Sequence, residues 1–309
     1  PIGVTRMMSA VAVEDYDGDG WDDIFWTGGG GQRSKLFKND GLGGFVDVAA
    51  AAGVDVQSSL AFPLWFDKDD DGDLDLLLMN YEWVYPLVLG VPGSSQVQTL
   101  YYPAGLEGDA ASPFASTSLA QLHNFLFENQ GDGTFIDVGF EAGVRHCGLT
   151  ACAVGDLDGD GDVDLLSASH NAGQRAFLFK NNGSGRFREV TPRNVAGLEG
   201  FPFATNLIDY DNDNDLDLAW TADFGTSKLV RNDGGWNFVD VTDAALVGTD
   251  ENGMGSTWGD PDRNGRADWF ISSIWNDEPF TGPFAISWGI TGNRLFMNNS
   301  DGTFSDDTG

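Results

Sequence analysis

Five nine-residue stretches concentrate the side chains able to do chemistry: DYDGDGWDD from Asp15, DKDDDGDLD from Asp67, DLDGDGDVD from Asp156, DYDNDNDLD from Asp209 and DPDRNGRAD from Asp260. They share the register D-x-D-x-[DN]-[GN]-x-x-D and hold half of the chain's 48 acidic residues. Carboxylates this close repel by several kcal/mol at intermediate dielectric, so a cation must offset them. Positions 1, 3 and 5 place side-chain oxygens on one side of a tight turn. These are Asp15, Asp17 and Asp19; Asp67, Asp69 and Asp71; Asp156, Asp158 and Asp160; Asp209, Asp211 and Asp213; and Asp260, Asp262 and Asn264. A backbone carbonyl at position 7 (Trp21, Asp73, Asp162, Asp215) and a carboxylate at position 9 (Asp23, Asp75, Asp164, Asp217, Asp268) complete the cage. Hard oxygen ligands in this number suit calcium; magnesium prefers a rigid octahedron with several waters.

A helix–loop–helix calcium site needs a bidentate Glu at position 12. Here position 12 is Trp26, Leu78, Ser167, Trp220 and Ile271, and both flanks read as strands. The expectation is therefore a strand-flanked calcium loop in up to five copies. A solvated acidic turn would explain one copy, but not five in register. The fifth loop has fewer carboxylates and carries Arg263 and Arg266, so it is expected to bind most weakly or to stay vacant.

The elements that must position these loops follow from the repeat. Successive loops start 52, 89, 53 and 51 residues apart. Between them runs a second pattern: LFKNDGLGGFVDV (36–48), LFENQGDGTFIDV (126–138), LFKNNGSGRFREV (178–190), LVRNDGGWNFVDV (229–241) and LFMNNSDGTFSDD (295–307). Apolar residues around an Asn/Asp/Gly cluster mark a hairpin. Each unit thus reads as four short strands, one before the acidic loop, one after it, and a hairpin. Four-stranded units at this period predict an all-β β-propeller in preference to a solenoid. Residues 1–309 read as a single propeller domain with insertions at 81–122 and 276–291. The five units form either a closed five-bladed ring or part of a seven-bladed one.

The formal charge of −32 disfavours nucleic acid and anionic membrane surfaces as partners. No apolar run reaches membrane-spanning length, and Pro1 in place of Met suggests a processed or trimmed start. Cys147 and Cys152 do not form a metal or haem motif; a disulfide and two buried thiols remain open alternatives. His123, His146 and His170 are scattered, and no nucleophile elbow, phosphate loop or zinc triad is present, so no catalytic residue is assigned.

With both motifs in place, the chain resembles the FG-GAP/VCBS repeat proteins, calcium-loop propellers that include the integrin α head. GMGSTWGDPDRNGRADWFISS and NRLFMNNSDGTFSD resemble bacterial members of the ASPIC/UnbV (cartilage acidic protein-like) group most. The resemblance covers the chain apart from its two insertions. It implies calcium in the acidic loops, and members often have seven blades.

Both insertions connect strands two and three, on the face opposite the acidic loops. Their aromatic residues, Tyr81, Trp83, Tyr85, Tyr101 and Tyr102 in one and Phe280, Phe284 and Trp288 in the other, suit a glycan or a protein partner. The alternative is that these rings only cover the propeller core. Loops that bind at millimolar calcium fill outside the cell and empty in most cytoplasms, which predicts an extracellular, cell-surface or periplasmic location. The first functional expectation is a binding or assembly module. A carbohydrate-active lyase or dehydratase on the same scaffold, and a self-assembling subunit of an extracellular polymer, are the alternatives.

Overall fold

A computed structural model describes residues 9–28, 32–57, 60–80, 124–144, 151–168, 176–198, 200–274 and 292–308. The insertion aromatics Tyr81, Trp83, Tyr85, Tyr101, Tyr102, Phe280, Phe284 and Trp288 lie outside the described residues, as do Cys147 and the three histidines.

The hairpin and loop patterns become five four-stranded antiparallel sheets, each a simple meander. The first comprises β1 (Val11–Glu14), β2 (Asp23–Trp26), β3 (Lys35–Asn39) and β4 (Phe45–Asp47). The second holds β5 (Leu60–Phe66), β6 (Asp75–Asn80), β7 (Phe125–Asn129) and β8 (Phe135–Asp137). The third holds β9 (Ala151–Gly155), β10 (Asp164–Ala168), β11 (Ala176–Asn181) and β12 (Phe187–Glu189). The fourth holds β13 (Phe201–Ile208), β14 (Asp217–Asp223), β15 (Lys228–Asn232) and β16 (Phe238–Asp240). The fifth holds β17 (Gly253–Gly259), β18 (Asp268–Ser273), β19 (Arg294–Asn298) and β20 (Phe304–Asp306). These are the blades of a β-propeller, and the first strands of successive blades lie against one another.

The second strand of a blade is sandwiched between neighbouring blades, which explains why it is apolar on both faces; every residue of β10 and β14 is buried. Four apolar clusters result, each between consecutive blades. The first stacks Tyr16 of blade one on Trp65 of blade two, ring centroids 5.8 Å apart. The fourth encloses Trp269 and Phe296, both fully buried. Each such side chain contributes roughly 1.5–3 kcal/mol by leaving water. Among the described residues no such cluster joins blade five to blade one. Val11 and Val13 on β1 are accordingly 57% and 50% exposed.

The turn after each hairpin also reaches the next blade. Phe187 N donates to Ala142 O at 2.8 Å, and Phe304 N to Ala245 O at 2.9 Å. Gly143, between these elements, has φ +83°, and a Cβ there would stand 2.4 Å from the Phe187 carbonyl oxygen. Only glycine satisfies both conditions. Among the described residues, no helix is long and apolar enough to cross a membrane.

Candidate metal centres

Each acidic loop is built by its own first aspartate. Asp15 accepts the N–H of Asp19 (3.0 Å) and Gly20 (2.8 Å). Asp67, Asp156, Asp209 and Asp260 accept the same pair of N–H groups, from positions 5 and 6 of their loops. Position 5 in turn accepts from the N–H of position 7, as Asp71 does from Asp73 at 3.0 Å. Closing so tight a loop requires left-handed backbone at positions 4 and 6 in all five copies. Glycine fills position 6 in four loops, with Asn214 in the fourth; position 4 is Gly18, Asp70, Gly159, Asn212 and Arg263. The side chains at Asp70 and Arg263 are therefore held in a region L-residues seldom adopt.

Position 9 is the most buried part of the loop. Asp23, Asp75, Asp164, Asp217 and Asp268 are each at most 2% exposed. Their Oδ1 atoms accept the backbone N–H of Asn39, Asn129, Asn181, Asn232 and Asn298, at 2.7–2.9 Å. These asparagines are the invariant Asn of the hairpin motif, so the acidic loop and the hairpin turn are joined on one edge of the blade. In loops two, three and four, Oδ2 accepts the N–H of position 2 (Lys68, Leu157, Tyr210) at 3.0–3.1 Å. In the fifth loop position 2 is Pro261, which has no N–H, and Asp268 Oδ2 is buried without a partner. Asp23 Oδ2 is also unpaired.

The asparagine amide does a second job. Asn129, Asn181, Asn232 and Asn298 donate Nδ2 to the position-2 carbonyl of the preceding blade's loop, on Tyr16, Lys68, Leu157 and Tyr210, at 2.7–3.0 Å. Each blade is thereby latched to the acidic loop before it. Nothing in the repeat pattern announces this contact, because the acceptor is backbone.

Each loop brings three of its carboxylates together. Oxygens of Asp15, Asp17 and Asp19, of Asp67, Asp69 and Asp71, of Asp156, Asp158 and Asp164, of Asp209, Asp211 and Asp213, and of Asp260, Asp262 and Asp268 lie within 4.8 Å of one another in each set. Of the other predicted ligands, Asp23, Asp73, Asp75, Asp160, Asp162, Asp215 and Asp217 are not members of these sets. Trp21 turns its indole onto Gly41 of the hairpin. Asn264 takes the role of the position-5 aspartates, its Oδ1 accepting Arg266 N at 2.9 Å.

Basic residues missed by the sequence reading stand over three loops. Lys38 Nζ bonds Asp17 and lies 3.1 Å from Asp19. Lys180 Nζ bonds Asp158 and lies 2.8 Å from Asp160. Lys68 Nζ lies 2.8 Å from Asp69, 3.4 Å from Asp75 and 3.2 Å from Glu128. The bonds to Asp17 and Asp158 hold Lys38 and Lys180 above the usual lysine range. Burial opposes charge on Lys68, but its acidic partners outweigh it and the shift is again upward. Burial lifts Asp75 and Asp164 to about 6 and Asp217 to about 7, against the pull of their N–H donors.

The donor set fits a divalent cation. It is all hard oxygen, and Oδ1 of Asp17, Asp69 and Asp158 is buried with no hydrogen-bond partner although Oδ2 is engaged. A buried, unpaired carboxylate oxygen is costly unless an ion completes it. These aspartate sets can hold metal ions.

Comparison with known proteins agrees with this geometry. An FG-GAP-like repeat family matches residues 15–78 and 156–220, spans that begin at the first and third acidic loops. Cartilage acidic protein 1 of Mus musculus is 26% identical over 95% of this chain and 52% of its own length, and that of Homo sapiens is 26% identical over 95% and 51%. The Xenopus tropicalis protein is 32% identical over 37% of this chain and 19% of its own length. The chain thus spans about half the length of the first two relatives. Among solved structures, an Agrocybe aegerita lectin that recognises non-reducing terminal N-acetylglucosamine matches at 17% identity, with TM-score 0.49, over 98% of this chain and 65% of its own. The V. cholerae biofilm matrix protein Bap1 matches at 12%, with TM-score 0.44, over 96% and 38%. The chain carries FG-GAP-like repeats and is a relative of cartilage acidic protein 1.

Proposed function

We propose that this protein is a calcium-stabilised β-propeller that works outside the cell as a binding or assembly module. The observation that carries the reading is the fivefold recurrence of three carboxylates within 4.8 Å of one another. In loops one to three these sets also hold buried oxygens that lack a partner. The loops supply structure rather than chemistry, because each sits where two strands and a hairpin meet, and the first four also meet the next blade. Calcium there would tie these parts together. The aromatic residues of the insertions 81–122 and 276–291 are the part assigned to a glycan or protein partner.

The test is thermal unfolding in millimolar calcium and in chelator, with bound calcium counted by calorimetry. At calcium ~100-fold above its dissociation constant each site adds roughly 2.7 kcal/mol. Several equivalents bound, with a midpoint many degrees higher, are expected. Unfolding that ignores calcium, with no uptake, would reject the reading. A glycan panel run in the same two buffers reads the second half. Calcium-dependent retention without product supports a binding module, whereas dehydrated or unsaturated product would replace it with a lyase.

A further inference from the structure

We propose that Lys38, Lys68 and Lys180 are internal counter-cations that compete with the metal, and so rank the loops, with the fourth filling first and, of the three loops they serve, the second last. The inference rests on the calcium reading above.

The three lysines reach their loops by two routes. Lys38 and Lys180 occupy the same place in the hairpin motif, immediately before its asparagine, Asn39 and Asn181. Lys68 comes instead from position 2 of its own loop, where the other blades have Tyr16, Leu157, Tyr210 and Pro261. In that blade the hairpin place holds an acid, Glu128, which accepts from Lys68. The base and its partner have exchanged places while the ammonium stays over the carboxylates. An ammonium so placed offsets one charge of its cluster. It bonds Oδ2 of the position-3 aspartate in each case and leaves Oδ1 of Asp17, Asp69 and Asp158 buried and unpaired. A seat for the metal therefore remains, but a dication entering it meets a cation already at the same carboxylate.

Loop four differs. Its hairpin base is Arg231, whose Nε donates to Asp233 of its own turn at 2.6 Å. Among the described residues no ammonium or guanidinium lies within ion-pair distance of the fourth-loop aspartates. This loop also keeps five carboxylates, Asp209, Asp211, Asp213, Asp215 and Asp217. It has the most to gain from a dication, and its nearest base, Arg231, acts on Asp211 only from beyond ion-pair distance. Loop five has no lysine but only three carboxylates, Asp260, Asp262 and Asp268, and it carries Arg263 and Arg266, so it remains the weakest expected site.

The lysines also differ in where they can go. The side chains of Lys38 and Lys180 are 36% and 29% exposed, so each can swing into water when a metal arrives. Lys68 is 2% exposed. Its stem is pressed against Gly185 of the next blade, where a Cβ would lie 2.8 Å from Lys68 Cδ. It has no such exit, so of these three loops the second holds metal least well.

Loop three carries its own reporter. Trp236 Nε1 donates to Asp158 Oδ2 at 2.7 Å, so terbium bound there is sensitised by tryptophan excitation, and a Trp21→Phe background removes the corresponding signal of loop one. The experiment titrates wild type, Lys180→Met and Lys180→Gln with terbium and, by competition, with calcium. Lys228→Met, which loses only a pair with Asp240, is the control. Both Lys180 variants should take up metal about two- to fivefold more tightly at loop three, the range of a partly exposed ion pair. Both should also melt earlier than wild type in chelator, the gap closing in saturating calcium. Independently of any lysine change, Asp211→Asn should remove the tightest calorimetric transition and Asp158→Asn a weaker one. Unchanged or weaker metal uptake in the Lys180 variants, or a tightest transition that survives Asp211→Asn, would overturn the ranking. Uptake by no variant would overturn the calcium reading as well.

Discussion

The latch between blades makes a quantitative prediction, because the chain contains its own control. Asn232 is fully buried. Its Nδ2 donates to Leu157 O of the preceding loop at 2.9 Å and to Leu216 O at 3.1 Å, and its Oδ1 accepts Gly234 N at 3.1 Å. Asn39 is the same residue of the first blade. It keeps the local bonds, to Asp22 O at 3.1 Å and from Gly41 N at 3.0 Å, and is only half-buried. Each neutral bond is worth about 1 kcal/mol net, and a carbonyl left buried and unpaired costs a further ~1–3 kcal/mol. Asn232→Ala should then cost about 3–5 kcal/mol and Asn39→Ala about 1 kcal/mol. The difference of about 2–4 kcal/mol isolates the bond across the blades. At roughly 2–4 °C per kcal/mol for a chain approaching this size, the midpoints should differ by about 4–16 °C. Urea unfolding followed by tryptophan fluorescence, in chelator so that metal plays no part, reads both variants. Midpoints for the two that agree within about 1 kcal/mol would refute the latch as a source of stability.

Two further outcomes follow from other parts of the fold. Gly253→Ala places a Cβ 2.3 Å from Thr221 Cγ2 and 2.5 Å from Asp250 Oδ2; it should cost about 1–3 kcal/mol by overpacking, and Thr221→Ser should restore part of that in calorimetry. Asp223 is 6% exposed, and burial lifts its carboxyl from 3.8 to about 6. The folded protein then binds the proton more tightly than the unfolded chain, so stability falls as pH rises from about 4 to about 6 and levels off above. Asp223→Asn should remove that slope, stabilising by on the order of 2–3 kcal/mol at pH 7.5 and much less at pH 4.5. An equal gain at both values would show that the carboxylate charge is not the cause.

The placement of the five carboxylate sets was legible because side-chain oxygens at alternate positions of a turn have little freedom to point elsewhere. The blades were legible because strand two must be apolar on both faces and the hairpin motif announces its own turn. Other features depend on groups that leave no mark in sequence. The latching role of Asn129 and its counterparts needs a backbone carbonyl from another unit. The orphaning of Asp268 Oδ2 follows from Pro261 only once position 2 is known to donate to position 9. The demand for left-handed backbone at position 4 was masked by Asp70 and Arg263, which occupy it in place of glycine or asparagine. The exchange of Lys68 with Glu128 is visible on aligning the repeats, but it reads as noise until both side chains are seen over one loop.

The latch has a consequence for how the loops behave as a set. The carbonyl that Asn181 grips belongs to Lys68, which lies between Asp67 and Asp69 of loop two. The backbone N–H of that same asparagine is held by Asp164 of loop three. A hydrogen-bonded path therefore runs from one acidic loop, through a single residue, into the next, and it recurs at every blade junction described. Any free energy carried along it acts equally in both directions. A loop that tightens around an ion would set the backbone of its successor, and the successor, once filled, would steady the loop before it, so that the sites communicate as neighbours in a row.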